Sequence, residues 1–243
     1  MEKFRKISFS SDDISETDKG VLVSEVLKLV DNHKYYQEFY NLLEIDKIKD
    51  DFIPIRGASK LISTMQSVNN KFTKFDVESS YQDLEFVESE KFTITFNNII
   101  DPDVTTIIES DEFTATPIYS AQTDFFSGLF NMDRYANKLL DHGYNYLVNS
   151  NLKSIQEILQ KLLVKNKKYR ILLDKEGNYF LRAITSNRYY DYNNNIAVFV
   201  GLIILYKDIK ESKNEFIIQR CEFNESYVRV YFENLEEKDL PVY

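Results

Sequence analysis

Residues Arg182 to Leu202 read "RAITSNRYYDYNNNIAVFVGL". Two arginines, three tyrosines and three consecutive asparagines stand directly before an apolar block, "IAVFVGLIILY", that runs from Ile196 to Tyr206. Asparagine is a good helix N-cap, because its side-chain oxygen accepts one of the backbone N–H groups that a first turn leaves unbonded. The length of the block, the asparagines before it and the polar continuation "KDIKESK" predict a helix over Ile196 to Lys207. Its β-branched residues favour the other reading, a central strand. As a helix it is apolar on every side through its first two turns, so it must be buried, and a sheet is the natural cover.

Working outward, two hairpins flank this block. "YRILLD" and "YFLRAI" enclose "KEGN", where Gly177 is available for positive φ, and "FIIQRC" and "YVRVYF" enclose "EFNES". Before the first hairpin, "SNLKSIQEILQKLLVKNKK" reads as a helix with an apolar stripe at Leu152, Ile155, Ile158, Leu159, Leu162 and Leu163. Ser154 and Glu157 have capping-box spacing, with Ser150 or Asn151 as alternative caps. Lys165, Lys167 and Lys168 fall in its last turn or just past it, where the helix dipole favours cations. Residues 149–243 therefore read as a helix followed by a ββαββ unit around one buried helix.

Residues 21–148 read as an acidic helix-plus-sheet region, separate from that unit or continuous with it. Val23, Val26, Leu27 and Val30 recur at helical spacing, and Tyr35, Tyr36, Phe39 and Tyr40 prolong the pattern, which predicts one helix over 21–43. "ASKLISTMQSVNN" predicts a short helix. "KFTITFNNI" alternates with a period of two, as a half-buried strand does, and "DEFTATPIY" repeats the form with Pro117 marking an edge strand or a strand end. Between them "NNIIDPDVTTIIESDE" reads as a turn followed by another short β-branched run, so this section reads as a small antiparallel sheet, and "DRYANKLLDHGYNYLV" predicts a helix interrupted or ended near Gly143. Residues 1–20 are polar and expected to be flexible. The fold class expected for the whole chain is α+β.

The formal net charge is −9 over 243 residues, yet residues 151–190 carry nine basic and three acidic side chains. A local excess of this kind marks a binding face or a solvated helix-and-hairpin surface. Guanidinium groups pair with phosphates and tyrosine rings stack on unpaired bases. Lys165, Lys167, Lys168, Arg170, Arg182, Arg188, Tyr189, Tyr190 and Tyr192 are the candidate nucleic-acid-binding residues. In the alternative reading the tyrosines plug the junction between sheet and helix with their hydroxyls at the surface.

The hairpin, corner, helix and second hairpin, "YFLRAITSNRYYDYNNN" and "IIQRCEFNESYVRVYFEN", resemble the uncharacterised "phage/plasmid-like" family of phages and mobile elements. The resemblance covers about residues 168–235 and rests on Arg182, Ala183, Ser186, Arg188, Tyr189, Asn193 and Asn194. It implies a mobile-element context and transfers no catalytic residue.

Other chemistries lack their residues. A single cysteine, Cys221, allows no internal disulfide and points to a reducing compartment. Eleven apolar residues fall short of the ~20 that cross a bilayer as a helix. The start "MEKFRKISFSSDD" has no apolar segment of the signal-peptide kind. His33 and His142 have no ligating neighbour at metal spacing, and no P-loop, G-x-S-x-G or G-x-G-x-x-G is present. Asp101, Asp103, Glu109, Asp111 and Glu112 read as loop charge rather than a metal-binding cluster. The function expected is therefore a non-enzymatic, phage- or mobile-element-derived protein contacting nucleic acid, with single strands preferred. The alternative is an acidic protein-interaction module, either a virion component or an inhibitor of a host factor. No cofactor, metal or membrane partner is expected. The partner expected is nucleic acid or a host or phage protein, and the place expected is the cytoplasm or a virion.

Overall fold

The structure is a computed structural model that describes residue 4 and residues 6–87, 91–159, 166–188 and 193–235. Its helices and its antiparallel and mixed sheets make an α+β fold. The chain divides into two compact units, one made of Met1–Asn70 with Asp191–Tyr243 and the other of Lys71–Tyr190. The second unit is thus an insertion in the first, and the division expected after residue 148 falls inside a helix, Asn145–Leu159.

The discontinuous unit is built on the apolar block. The block is helical, as its cap predicts, within a helix that runs over Asn194–Ser212. Asn193 has extended backbone, and its Oδ1 accepts the Ile196 N–H at 3.0 Å. Ile196, Val198, Phe199, Leu202, Ile203 and Tyr206 are buried, whereas Ile204 is 54% exposed, so one stripe reaches solvent. At the polar end, Asp51 accepts hydrogen bonds from the Tyr206 hydroxyl (2.7 Å) and the Lys210 ammonium (2.6 Å). The Lys210 contact holds the Asp51 carboxyl below its usual value. Removing the cap tests this account: Asn193→Ala should lower stability by about 1 kcal/mol, read as a lower urea midpoint with an unchanged slope.

Against this helix lie three strands, β1 (Ile7–Ser10), β10 (Phe216–Phe223) and β11 (Val228–Asn234), in the order β1-β10-β11 and all antiparallel. Within the start expected to be flexible, Ile7–Ser10 form the first of these strands. Phe9 and Ile14 are buried, and the turn between them is closed by the Ser10 N–H and hydroxyl on the Asp13 carboxylate. The helix expected over 21–43 is also corrected. It is a two-residue strand, β2 (Val21–Leu22, paired with β3, Phe52–Ile53), then α1 (Val23–Leu27) and α2 (Tyr36–Leu42). Single turns bonded three residues apart, such as Leu29 N–H to Val26 and His33 N–H to Val30, join the two helices. They preserve the spacing of three that mimics a helix while "DNH" leaves it. The short helix expected at "ASKLISTMQSVNN" is α3, Ala58–Asn69. Gly57 before it has φ +90°, and a Cβ there would lie 2.5 Å from the Ile14 side chain.

The continuous unit has a six-stranded sheet in the order β4-β8-β9-β7-β6-β5. Its strands are β4 (Phe72–Ser79), β5 (Leu84–Val87), β6 (Thr93–Phe96), β7 (Phe113–Pro117), β8 (Lys167–Asp174) and β9 (Tyr179–Thr185). All neighbours are antiparallel except β7 and β9. Pro117 ends β7, an interior strand. The run "DPDVTTII" is a helix, α4 (Pro102–Ile108), not a strand: Asp101 caps it by accepting the Asp103 N–H at 2.9 Å, and Pro102 suits the first turn. Asp101 and Asp103 are therefore helix-start residues rather than turn charges. The break near Gly143 separates α6 (Asp133–Asp141) from α7 (Asn145–Leu159), and α5 spans Ala121–Phe130. Because α7 starts at Asn145, Ser150, Asn151, Ser154 and Glu157 lie inside it and cap nothing. It buries Val148 and Leu152 and leaves Ile158 74% exposed. Leu162, Leu163 and Lys165 lie outside the described residues. The core of this unit is aromatic, with Phe86, Phe92, Phe125, Phe126 and Phe130 in mutual ring contact.

Both expected hairpins and the helix between them are present in that order, but they do not make one ββαββ unit. The hairpin β8–β9 joins the six-stranded sheet, and α8 (Asn194–Ser212) with the hairpin β10–β11 belongs to the other unit.

Candidate nucleic-acid interface

Lys167, Lys168 and Arg170 are not at the end of a helix; all three lie on β8. Successive residues of a strand point to opposite faces of the sheet. Lys167 shares a face with Tyr169 and Ile171, the face packed into the aromatic core, and Lys168 and Arg170 share the other.

On that other face, opposite charges meet across the β4–β8 ladder. Asp76 stands opposite Arg170 and Glu78 opposite Lys168. Arg170 Nε donates to Asp76 Oδ1 at 3.2 Å, with only 9% of the arginine side chain exposed. Lys168 Nζ lies 3.8 Å from Glu78, whose other oxygen accepts from Asn187 Nδ2 at 3.3 Å. Both basic groups thus have carboxylate partners within the sheet. Arg182 occupies a bulge: Ala183 pairs with Arg170 and Leu181 with Ile171, so Arg182 is the extra residue of β9. Arg188 is exposed in the turn that follows. Lys165, Tyr189, Tyr190 and Tyr192 lie outside the described residues.

A cleft of about 280 Å³ lies at the open end of the β8–β9 hairpin. Lys167, Ile184, Thr185 and Ser186 line it from the hairpin, and Asp124, Ser127 and Gly128 line it from α5. A Cβ at Gly128 would meet nothing within 4 Å, so main chain is open to the cleft there. Asp124 accepts the Ser120 hydroxyl at 2.8 Å. The cleft brings the Lys167 ammonium together with the hydroxyls of Ser127 and Ser186, the side-chain types that hold phosphate oxygens, while Thr185, opposite Lys168, turns its hydroxyl to the Lys168 carbonyl at 3.5 Å. The sequence indicates Lys167 but not Ser127 or Gly128, which α5 delivers from 40 residues earlier in the chain.

A second open cleft of about 290 Å³ is lined by Glu85, Asn97, Asn98, Asp111 and Glu112, at one end of β5, β6 and β7. Among the described residues, no group of three or more His, Cys, Asp or Glu side chains could hold a metal ion. His33 Nδ1 accepts the Tyr35 N–H at 3.2 Å, and His142 caps α6 at its C-terminus. Cys221 is fully buried in β10, and burial pushes its thiol up to about 12, which removes the thiolate a nucleophile needs at neutral pH. No described helix is long and apolar enough to cross a membrane. Comparison with protein-family models, curated proteins and solved structures finds no match to this chain.

Proposed function

We propose that this chain is a non-enzymatic binding protein that holds the phosphate backbone of single-stranded nucleic acid at the open end of the β8–β9 hairpin. The observation that carries the reading is the cleft lined by Lys167, Ser127 and Ser186, with Arg188 exposed in the turn that follows Ser186 in the chain. Lys168 and Arg170 drop out of the contact set, because Glu78 and Asp76 engage them. Tyr189, Tyr190 and Tyr192 follow Arg188 directly in the chain, and their part as stacking residues rests on the sequence. A phage or mobile-element origin rests on the pattern of residues 168–235 alone.

Fluorescence anisotropy with labelled single- and double-stranded oligonucleotides, from about 50 to about 300 mM salt, tests it. Micromolar binding that prefers single strands and weakens with salt is expected. Lys167→Ala with Arg188→Ala should flatten the log–log salt slope by about 1.4, roughly 0.7 per lost phosphate contact. Absence of binding at about 50 mM salt by the folded protein would overturn the reading. The cleft of Glu85, Asp111 and Glu112 favours a second one, an acidic module that meets a basic protein partner. Its support would be a partner whose binding is lost when those three carboxylates are replaced by amides.

A further inference from the structure

The strand β11 closes one side of its sheet and pairs only with β10 among the described residues. Its seven residues alternate strictly. Val228, Val230 and Phe232 face the core, and Arg229, Tyr231 and Glu233 face solvent, Tyr231 being 49% exposed. The hydrogen-bond phase follows from the two ends of the hairpin. Asn224 N–H bonds to the Tyr227 carbonyl and Leu235 N–H to the Glu215 carbonyl, so odd-numbered residues bond inward to β10. Val228, Val230 and Phe232 therefore turn their backbone N–H and C=O groups away from β10. A long regular edge of this kind is a template for another strand unless something blocks it.

The outward side chains select which strand fits. Consider a second copy of β11 laid antiparallel across a two-fold axis at Tyr231. Arg229 then stands opposite Glu233 of the second copy, and Glu233 opposite Arg229 of the second copy, while Tyr231 meets its own equivalent. On the core face Val230 meets Phe232 of the second copy, apolar against apolar. These two are also the residues with outward backbone groups, so the same register satisfies both hydrogen bonding and side-chain pairing. Two-fold axes at Val230 or Phe232 keep the hydrogen-bond phase but set Arg229 opposite Tyr231 or Leu235, leaving the charges unmatched. The Arg229 guanidinium is already held on the outer face, 5.4 Å from the Tyr227 ring. Edge charges commonly guard against pairing, but an arginine and a glutamate four residues apart about a central tyrosine complement themselves.

We propose that β11 pairs antiparallel with β11 of a second copy of this chain, centred on Tyr231, to give a symmetric dimer with a continuous six-stranded sheet. An interface of this kind is isologous, so one patch supplies both sides. It is independent of the nucleic-acid reading.

Light scattering after size exclusion, with the full chain at about 10–100 μM, should report a species of twice the 28.7 kDa chain mass. Arg229→Glu alone, or Glu233→Arg alone, sets like charges opposite each other in both pairs. Each should weaken association about tenfold. The double variant R229E/E233R restores opposite charges and should restore the dimer, which a merely misfolded single variant would not do. A monomer throughout that concentration range overturns the proposal. So does a dimer indifferent to the single reversals, or a double variant that fails to recover.

Discussion

Phe199→Ala should remove about 3–5 kcal/mol of stability, a large share of the ~5–15 kcal/mol typical of a folded domain. Phe199 is fully buried on the helix Asn194–Ser212, and its ring lies 6.2 Å from that of Phe39. Truncation loses the transfer free energy of the ring. It also leaves a cavity beside the Phe39 ring, which the close packing of a core fills only in part. The control lies one stripe round the same helix. Ile204 is 54% exposed, and Ile204→Ala should cost under about 1 kcal/mol. Amide exchange in α8 and β10 under native conditions is the measurement, since it reads the opening free energy of this unit directly. Equal effects of the two substitutions would mean that the apolar block is not the centre of its core.

Asp76→Ala carries the second large effect, about 3 kcal/mol, for an electrostatic reason. It takes the Asp76 carboxylate from Arg170, whose side chain is 9% exposed, and weakening the pairing of a buried charge is among the costlier defects in a protein. Arg170→Ala should cost less, since Asp76 keeps 26% of its side chain exposed and water can hydrate it. The double variant Asp76→Ala with Arg170→Met should recover most of the loss, because an apolar replacement of a buried ion pair is often close to neutral. Urea denaturation of the four proteins measures the coupling. The same double variant also bears on function: if the pair is structural, oligonucleotide affinity and its salt slope stay unchanged. A fall in both would return Arg170 to the binding surface.

Asn193 and the block behind it declared a capped helix correctly, because a cap and an unbroken apolar run are local properties. The turn at Gly177 and the alternation at Thr93–Phe96 were legible for the same reason. "DPDVTTII" misled, because β-branched residues suggested a strand while Asp101 and Pro102 carried the helix-start signal. The stretch 21–43 misled in the opposite sense. Turns bonded three residues apart reproduce helical spacing without a helix, and periodicity does not separate the two.

The basic corner shows the deeper limit. Nine basic residues within 151–190 suggested one positive surface. The strand period splits Lys167 from Lys168 and Arg170, and β4 supplies Asp76 and Glu78 from some 90 residues earlier to engage the latter two. The alternation of Lys74, Asp76 and Glu78 was visible in the sequence, but nothing local tells which strand it will face.

By itself the sequence determined the capped central helix and its largely buried character, the two C-terminal hairpins, the alternating strand at Thr93–Phe96 and the α+β class. Only the tertiary structure decided that the two C-terminal hairpins enter different sheets, that Ile7–Ser10 form a paired strand and that Asp76 and Glu78 of β4 engage Arg170 and Lys168 of β8. Caps, turns and periodicity are set by neighbouring backbone groups and follow from the chain alone. Strand partnership depends on pairings between distant segments, and only the whole fold selects among them.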